Sequence, residues 1–546
     1  KAAGGGGILS ASERSFLEQQ DFELAPTERE KVYTEQFYLY LTLTKPQEHL
    51  YLCFCESGND GKAQNPSYLV ERICALFPRL ETRVEEQSRE VGHILGTDMG
   101  LSYLIKGLRN KNYQDERWKE IYGYYWGQEK YQRQILPILD AAFYKPPEAH
   151  LTREAARLLY HDMLQGSASK FELYASCEYR YFLQYGLHLR ERQERTVEFY
   201  DIGNIIHRSL ELYTKDMIHS GRNWQDIPGE EQKSKAEQYF HEVINEYRDG
   251  ILLENFRSRH MTQNLQRILY RTIDTITQQM SQGDFCTVGS ELSFKQVYGP
   301  LLLTGSVDRI DKLETQDADY ISIVDYKTGD KDISLSDLYY GLQMQLVIYL
   351  QAAVRETEKK HSRQHIKKKI IPAGIFYYHP SDPMLKDYMT EAARQQEILK
   401  QLRLKGLFNQ EDPVMYGLDR KIMPENGSGL AASFHSTVTS MDTKKDGSLT
   451  NNTTGATTPE EFDLLMKYTS DKLQEMSHSI LEGNIQISPY RKENGEEACS
   501  YCPYHGVCQF DARITGQEYR ILPGKTRDEV MEQIQQKYST QEGKED

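Results

Sequence analysis

The sequence predicts a mixed α/β protein of more than one unit, on three observations. At 546 residues the chain exceeds what one hydrophobic core holds, and roughly two to four units are expected. Between about 200 and 355 a helical pattern gives way to strand patterns and returns to a helical one, an order that indicates a mixed sheet flanked by helices. No run of eighteen apolar residues occurs, so nothing in the sequence is expected to span a membrane. Four segments follow: an α/β unit over 1–85, a helical connecting region over 86–165, the main domain over 166–525, and a charged tail over 526–546 expected to fray.

Taken in order, "REKVYTEQFYLYLTLTKPQEHLYLCFC" (29–55) reads as a helix running into a buried strand, Leu50 to Cys55, with Cys53 and Cys55 on one face as core residues. "YKPPEAH" (144–150) reads as a linker. In "SASKFELYASCEYRYFLQYGL", Ser167 or Ser169 is a candidate N-cap before an aromatic-rich helix. Ile205, Ile206, Leu210 and Tyr213 give the next segment a helical apolar face. "TVGSELSFKQVYGPLLLTGSVDRIDKLE" and "YISIVDYKT" are strands rich in β-branched residues, broken at Gly-Pro. "LYYGLQMQLVIYLQAAVRE" returns to a helix. Residues 426–458, rich in Ser, Thr, Gly and Asn, read as a flexible, solvated insertion.

The formal charge of −15 excludes a protein that is basic all over, but not one with a local basic groove for phosphates. "RYFLQYGLHLRERQER" is a candidate for such a groove, with aromatic side chains available to stack on bases, and equally reads as a solvated helix face. Eight cysteines, unevenly spread, do not form a secreted disulfide framework, and a reducing compartment is expected. The first residue is not Met, and "KAAGGGGILS" reads as the middle of a longer chain.

Chemistry concentrates in "GSVDRIDKLETQDADYISIVDYKTG". Side chains alternate across a strand, so Asp325 and Lys327 project together while Tyr326 faces away. If the two strands pair so that Asp308 lies near Asp325, two carboxylates and one ammonium share a small volume. Carboxylates so close repel unless a cation joins them, and oxygen ligands suit Mg2+ or Mn2+. Lys327 can then orient a water or neutralise phosphate charge. Gln345 and Tyr349, four apart, share one helix face.

In series, "GNIIHRSLE", "GSVDRID", "DYKTG" and "QLVIY" resemble the PD-(D/E)xK nuclease superfamily in its RecB-like form. The resemblance implies that His207, Asp308 and Asp325 hold the metal with the Tyr326 backbone carbonyl. It makes Lys327 the catalytic lysine and gives Gln345 and Tyr349 the supporting helix motif. Glu291 stands where relatives often carry an acid and is given at most a minor role.

"ACSYCPYHGVCQFD" spaces Cys499, Cys502 and Cys508 as C-x2-C-x5-C. Three thiolates lack a fourth ligand, and Cys177 is the best candidate for it. One distant cysteine plus a trio suits a four-thiolate iron–sulfur site better than zinc, which commonly uses two close pairs. His505 inside the trio leaves zinc open, and unligated thiols remain a third reading. The pattern resembles the 4Fe-4S staple of AddB-type nuclease subunits, which would join 177 to 499–508 around the core.

"FYLYLTLTKPQEHLYL" resembles the motif VI region of superfamily 1 helicases, with Lys45 where that family has an Arg on the ATP γ-phosphate. Lys lacks the planar fork, Pro46 restricts it, and no G-x-x-x-x-G-K-[ST] loop occurs. A degenerate helicase end before an iron–sulfur nuclease is similar to the C-terminal half of the AddB family. That resemblance implies a cytoplasmic, Mg2+-dependent (or Mn2+-dependent) exonuclease subunit acting on single strands from an unwound DNA end in double-strand break processing. It implies cutting of the 5′-ended strand, and heterodimerisation with AddA, a helicase and second nuclease. The alternatives are a stand-alone CRISPR-associated iron–sulfur nuclease, which leaves the first 165 residues unexplained, and a non-catalytic DNA-binding scaffold, against which the Asp308, Asp325 and Lys327 set argues.

Overall fold

The computed structural model describes residues 16–17, 19–20, 26, 28–55, 66–80, 82, 97–109, 114–143, 150–192, 199–247, 252, 256–329, 331–383, 385, 390–422, 434–444, 448–450, 453–514 and 516–542. The chain divides into two compact units, 1–125 and 126–546, a division that falls inside the expected connecting region.

The first unit is helical among its described residues: Glu28–Thr44, Tyr68–Leu76, Thr97–Arg109 and Glu116–Trp126. Trp118, buried, donates its indole N–H to Leu104 O at 3.0 Å and fixes the last two helices against each other. The helix expected before Lys45 is present, but the buried strand expected at Leu50–Cys55 is not. Those residues have no regular structure, and Cys53 and Cys55 are exposed. A strand must hydrogen-bond to a neighbour, and this unit offers no strand edge among its described residues.

The second unit is built on one mixed sheet. Among its elements, those that place the site are β1 (Leu164–Gly166), α1 (Ala168–Ser176), α2 (Phe199–His219), α3 (Phe256–Gln282), β2 (Cys286–Tyr298), β3 (Leu301–Glu314), β4 (Ala318–Tyr326), α4 (Gln345–Gln364), β5 (Lys369–Tyr378), β6 (Lys405–Asn409), β7 (Ala456–Thr457), α5 (Pro459–Glu482), β8 (Tyr490–Lys492), β9 (Arg520–Leu522) and α6 (Arg527–Glu542). The strand order is β1–β3–β4–β5–β6–β7, with β2 also on β3. β8 and β9 form a separate parallel pair. β3 and β4 are antiparallel, whereas β4 and β5 run parallel and are joined through α4, since a parallel pair needs a crossover.

β4 is buried along its whole length, and successive residues serve opposite layers. Val324 and Tyr326 pack with Ile205, Leu210 and Ile276 of α2 and α3. Ile321 and Ile323 pack with Leu346 and Leu350 of α4, Leu465 of α5 and Val530 of α6.

Four expectations are corrected here. The helix read through "LYYGLQMQ" is broken: Leu335–Tyr340 ends at Gly341, whose φ of 80° lets its amide reach back to Asp337 O and Leu338 O, and α4 starts afresh at Gln345. The insertion expected to be flexible over 426–458 is folded where described. Val438 and Met441 lie buried in the α2–α3 layer, and Ala456–Thr457 adds β7 to the sheet. Sparse apolar residues suffice there because each fills the core, which average composition conceals. The tail expected to fray forms α6, whose Val530, Met531, Ile534 and Tyr538 make one buried stripe at helical spacing. Tyr181 and Phe182, two aromatic residues of the stretch read as a basic groove or as a solvated helix face, are buried and fit neither reading. Ser167 occupies the N-cap of α1, bonded to Ser169 Oγ at 3.0 Å. The linker residues 144–149 lie outside the described residues.

Candidate active site

Sheet register brings three acids into one row. Arg309 faces Val324, which sets Asp308 beside Asp325. On the other side Ser290 faces Arg309 and Leu292 faces Val307, which leaves Glu291 across from Asp308. Glu291 has φ 49°, a left-handed conformation that costs an L-residue about 1–2 kcal/mol. This kink aims its carboxylate inward, where it meets His207 of α2 and Ser306.

His207 bridges two of the three acids. Its Nε2 lies 2.6 Å from Asp308 Oδ2 and its Nδ1 lies 3.2 Å from Glu291 Oε1. Its ring edge rests on Tyr326, with centroids 5.6 Å apart. Burial pulls the imidazole pKa down, but the hydrogen bonds and charges of Asp308 and Glu291 prevail and raise it to about 10. The same pair holds the Glu291 carboxyl below its ordinary value, with the hydrogen bond from His207 as the main cause. Asp308 Oδ2 also accepts the Tyr326 backbone amide at 2.9 Å.

Asp325 is 1% exposed. Lys327, just past the end of β4, sets its Nζ 2.8 Å from Asp325 Oδ2, so the two project together as the strand alternation predicts. Burial first, then the charge of Asp308, pushes the Asp325 carboxyl up to about 6, against the pull of Lys327 and His207. The Lys327 backbone stays in register because its amide donates to Tyr378 O at 2.9 Å. From α4, Gln345 Nε2 donates to Tyr349 Oη at 2.9 Å, and Tyr349 packs edge-on against Phe294. Gly305 of "GSVD" is required at this point: a Cβ there would fall 2.7 Å from the Phe294 ring. On the reverse face Arg309, 2% exposed, pairs with Asp311 and reaches Tyr326 Oη at 3.4 Å.

Among the described residues, His207, Glu291 and Asp308 are the one trio of His, Cys, Asp or Glu side chains whose ligand atoms all lie within 4.8 Å of one another. The set expected from sequence, His207, Asp308 and Asp325, is therefore adjacent but not so tight, and Glu291 stands closer than a minor role implies. Sequence does carry a signal for Glu291, the single acid of its strand, but not its backbone kink. The donors fit a hard divalent cation: an imidazole, carboxylates, and a buried Asp325 Oδ2 that the Lys327 ammonium approaches without an aligned hydrogen bond.

The four expected cysteines also converge. Cys177 follows α1, Cys508 ends the short helix His505–Cys508, and these two with Cys499 and Cys502 line one cavity beside Arg180 and Tyr504. Burial raises the Cys177 thiol, while the amides of Arg180, Ser488 and Tyr179 donate to its sulfur and oppose that rise. Burial, and then the other three thiols despite a hydrogen bond from Tyr519, pushes Cys499 up to about 11. Thiols so grouped resist joint ionisation unless a cation compensates them. His505 does not line this cavity and instead borders a separate surface depression with Arg513 and Tyr519. Around the cavity, Tyr179 N donates to Gln486 O at 3.0 Å and Tyr174 Oη to Ser479 Oγ at 2.8 Å, tying the start of the domain to its end.

Comparison with known proteins agrees with this layout. Three relatives are each named as a subunit of an ATP-dependent helicase/deoxyribonuclease. That of Lachnoclostridium phytofermentans is 38% identical over 532 residues, that of Clostridium tetani 32% over 549, and that of Alkaliphilus oremlandii 30% over 556. Each alignment takes in 97% of this chain and 46% of the relative, so the chain spans about half the length of the curated relatives it matches. The family model of the PD-(D/E)XK nuclease superfamily matches residues 165–509, which begin just before α1 and end just after Cys508. With the acids of β2, β3 and β4 and the lysine beyond them inside that match, the chain belongs to the PD-(D/E)XK nuclease superfamily.

Proposed function

We propose that this chain carries the nuclease of a Mg2+-dependent DNA exonuclease subunit of an AddAB-type helicase–nuclease. It would work with an AddA-type partner in the cytoplasm and degrade the 5′-ended strand at double-strand breaks destined for homologous recombination. The single observation that carries this reading is the row Glu291, Asp308, Asp325, closed by His207 on one side and Lys327 on the other. The relatives' name, which makes each a subunit of a helicase/deoxyribonuclease, supports the assembly and the substrate. Among the described residues no helix is long and apolar enough to cross a membrane.

In this reading His207, Asp308 and Asp325, with the Tyr326 backbone carbonyl and Glu291, hold the divalent ion. A cation bound there supplies Lewis-acid charge to the scissile phosphate. Asp325 orients the Lys327 ammonium from 2.8 Å, and Lys327 meets the phosphate or the attacking water. Gln345 and Tyr349 line the approach from α4 and hold the nucleic-acid strand against the row.

Cys177, Cys499, Cys502 and Cys508 would hold a 4Fe-4S cluster. A tetrahedral zinc with bonds of about 2.3 Å draws its sulfurs to about 3.8 Å of one another, whereas no three of these thiols, all among the described residues, come within 4.8 Å. Amides donating to sulfur, as at Cys177, are a usual support of such clusters.

The test is cleavage of 5′- and 3′-labelled DNA by anaerobically purified protein, with Mg2+ or with EDTA. Loss of cutting in Lys327→Ala with an unchanged melting profile supports the reading. Undiminished cutting by that variant, or cutting in EDTA, sinks it. Iron content and visible absorbance decide the cluster separately.

A further inference from the structure

Glu172 takes no part in the chemistry above, yet it is a partly buried carboxylate in the middle of α1. Such a group is costly to desolvate unless hydrogen-bonded. One oxygen, Oε1, accepts the backbone amides of both Met344 and Gln345, at 2.7 and 2.9 Å. These are the cap and first residue of α4. The first amides of a helix have no partner within it and carry its partial positive charge. Met344 makes no side-chain cap bond of its own, so the acceptor comes from a residue 172 positions earlier. Burial raises the Glu172 carboxyl, and Lys331, the two amides and Lys327 oppose that rise, which places it within reach of the Lys327 field. The amide it holds belongs to Gln345, which begins the Gln345–Tyr349 pair. At its other end α1 runs directly into Cys177.

We propose that Glu172 is a positioning residue that clamps the N-terminus of α4, and with it Gln345 and Tyr349, in register with Asp325 and Lys327, and that α1 transmits this register from the cysteine cavity. This rests on the nuclease reading. The clamp needs an acceptor oxygen at the right reach rather than a charge. Gln keeps that oxygen; Asp keeps the charge but is one methylene too short.

The experiment compares whole-protein Glu172→Gln, Glu172→Asp and Cys177→Ser with wild type. Two quantities are read: hydrogen exchange resolved to the amides of Met344 and Gln345, and steady-state Mg2+-dependent cleavage of a labelled single strand. Glu172→Gln should keep both amides protected and kcat within about threefold of wild type, whereas Glu172→Asp should expose them and lower kcat about tenfold or more with KM little changed. Cys177→Ser should expose the same two amides. The proposal is overturned if Glu172→Asp behaves as wild type, if Glu172→Gln is as impaired as Glu172→Asp, if Cys177→Ser leaves those amides protected, or if protection falls across the whole sheet. A wild type that does not cut DNA would instead refute the nuclease reading, while the exchange data would still test the clamp.

Discussion

His207 and Asp308 meet at 2.6 Å between Nε2 and Oδ2, and the second imidazole nitrogen of His207 is engaged by Glu291 at 3.2 Å. An imidazole with both nitrogens on carboxylates is fixed in orientation, and its partners are fixed by it. His207→Ala removes a proposed ligand as well as the group that orients two acids, and is expected to weaken Mn2+ or Mg2+ binding by at least about tenfold, the lower end of what the loss of a merely orienting partner costs. Calorimetric titration of metal into the variant checks this, and wild-type affinity would contradict it.

Asp325 lies buried beside a second carboxylate. In EDTA, Asp325→Asn should melt higher than wild type, because it removes a buried charge and its repulsion. In wild type, Mg2+ should restore stability by mass action, about 2.7 kcal/mol at one hundred times the dissociation constant. Melting curves with and without Mg2+ measure both effects, and the variant, which keeps His207, Glu291 and Asp308, should show a smaller Mg2+ response.

The backbone of Glu291 is held at φ 49°. Glu291→Gly relieves that strain, about 1–2 kcal/mol, but also removes the carboxylate bonded to His207 and Ser306, so the stability of the metal-free protein should change by no more than about 1 kcal/mol while metal binding and cleavage fall. A loss of stability in this variant would mean that the carboxylate contributes more to folding than its conformation costs.

Cys499→Ser should bleach the visible absorbance, halve or abolish bound iron, and lower the melting temperature, since Cys499 shares the cavity with Cys177. Cys53→Ser, exposed in the first unit, should do none of these. Iron analysis and melting of the two variants, prepared together without air, compare them directly.

Ile534 is fully buried at the centre of the α6 stripe. Ile534→Ala should cost about 2–5 kcal/mol, whereas Gln535→Ala, at an exposed position of the same helix, should cost close to nothing. Chemical denaturation of both separates a docked helix from a loose tail.

Much of the site is legible in the sequence because strand alternation is strict. "DYK" alone places Asp325 and Lys327 on one side, and i, i+4 spacing places Gln345 by Tyr349. Glu291 is easily underrated because its position depends on a kinked backbone, and Glu172 is invisible because its partner is a pair of backbone amides far along the chain. In the fold, composition misleads at 426–458 and at 526–546. In both, a few apolar residues at the right spacing dock a mostly polar segment, and an average over the segment hides them. Leu50–Cys55 errs the other way: an apolar run has strand propensity, but a strand exists only where an edge receives it.

Asp308 and Arg309 are chain neighbours, one turned toward His207 and the other sealed behind the sheet with Asp311 and Tyr326. Sliding β3 by a single position would exchange them, presenting a guanidinium where an anion must stand. A mispaired sheet would thus lose the row of acids altogether rather than rearrange it, so that the site comes into being only with the correctly assembled fold.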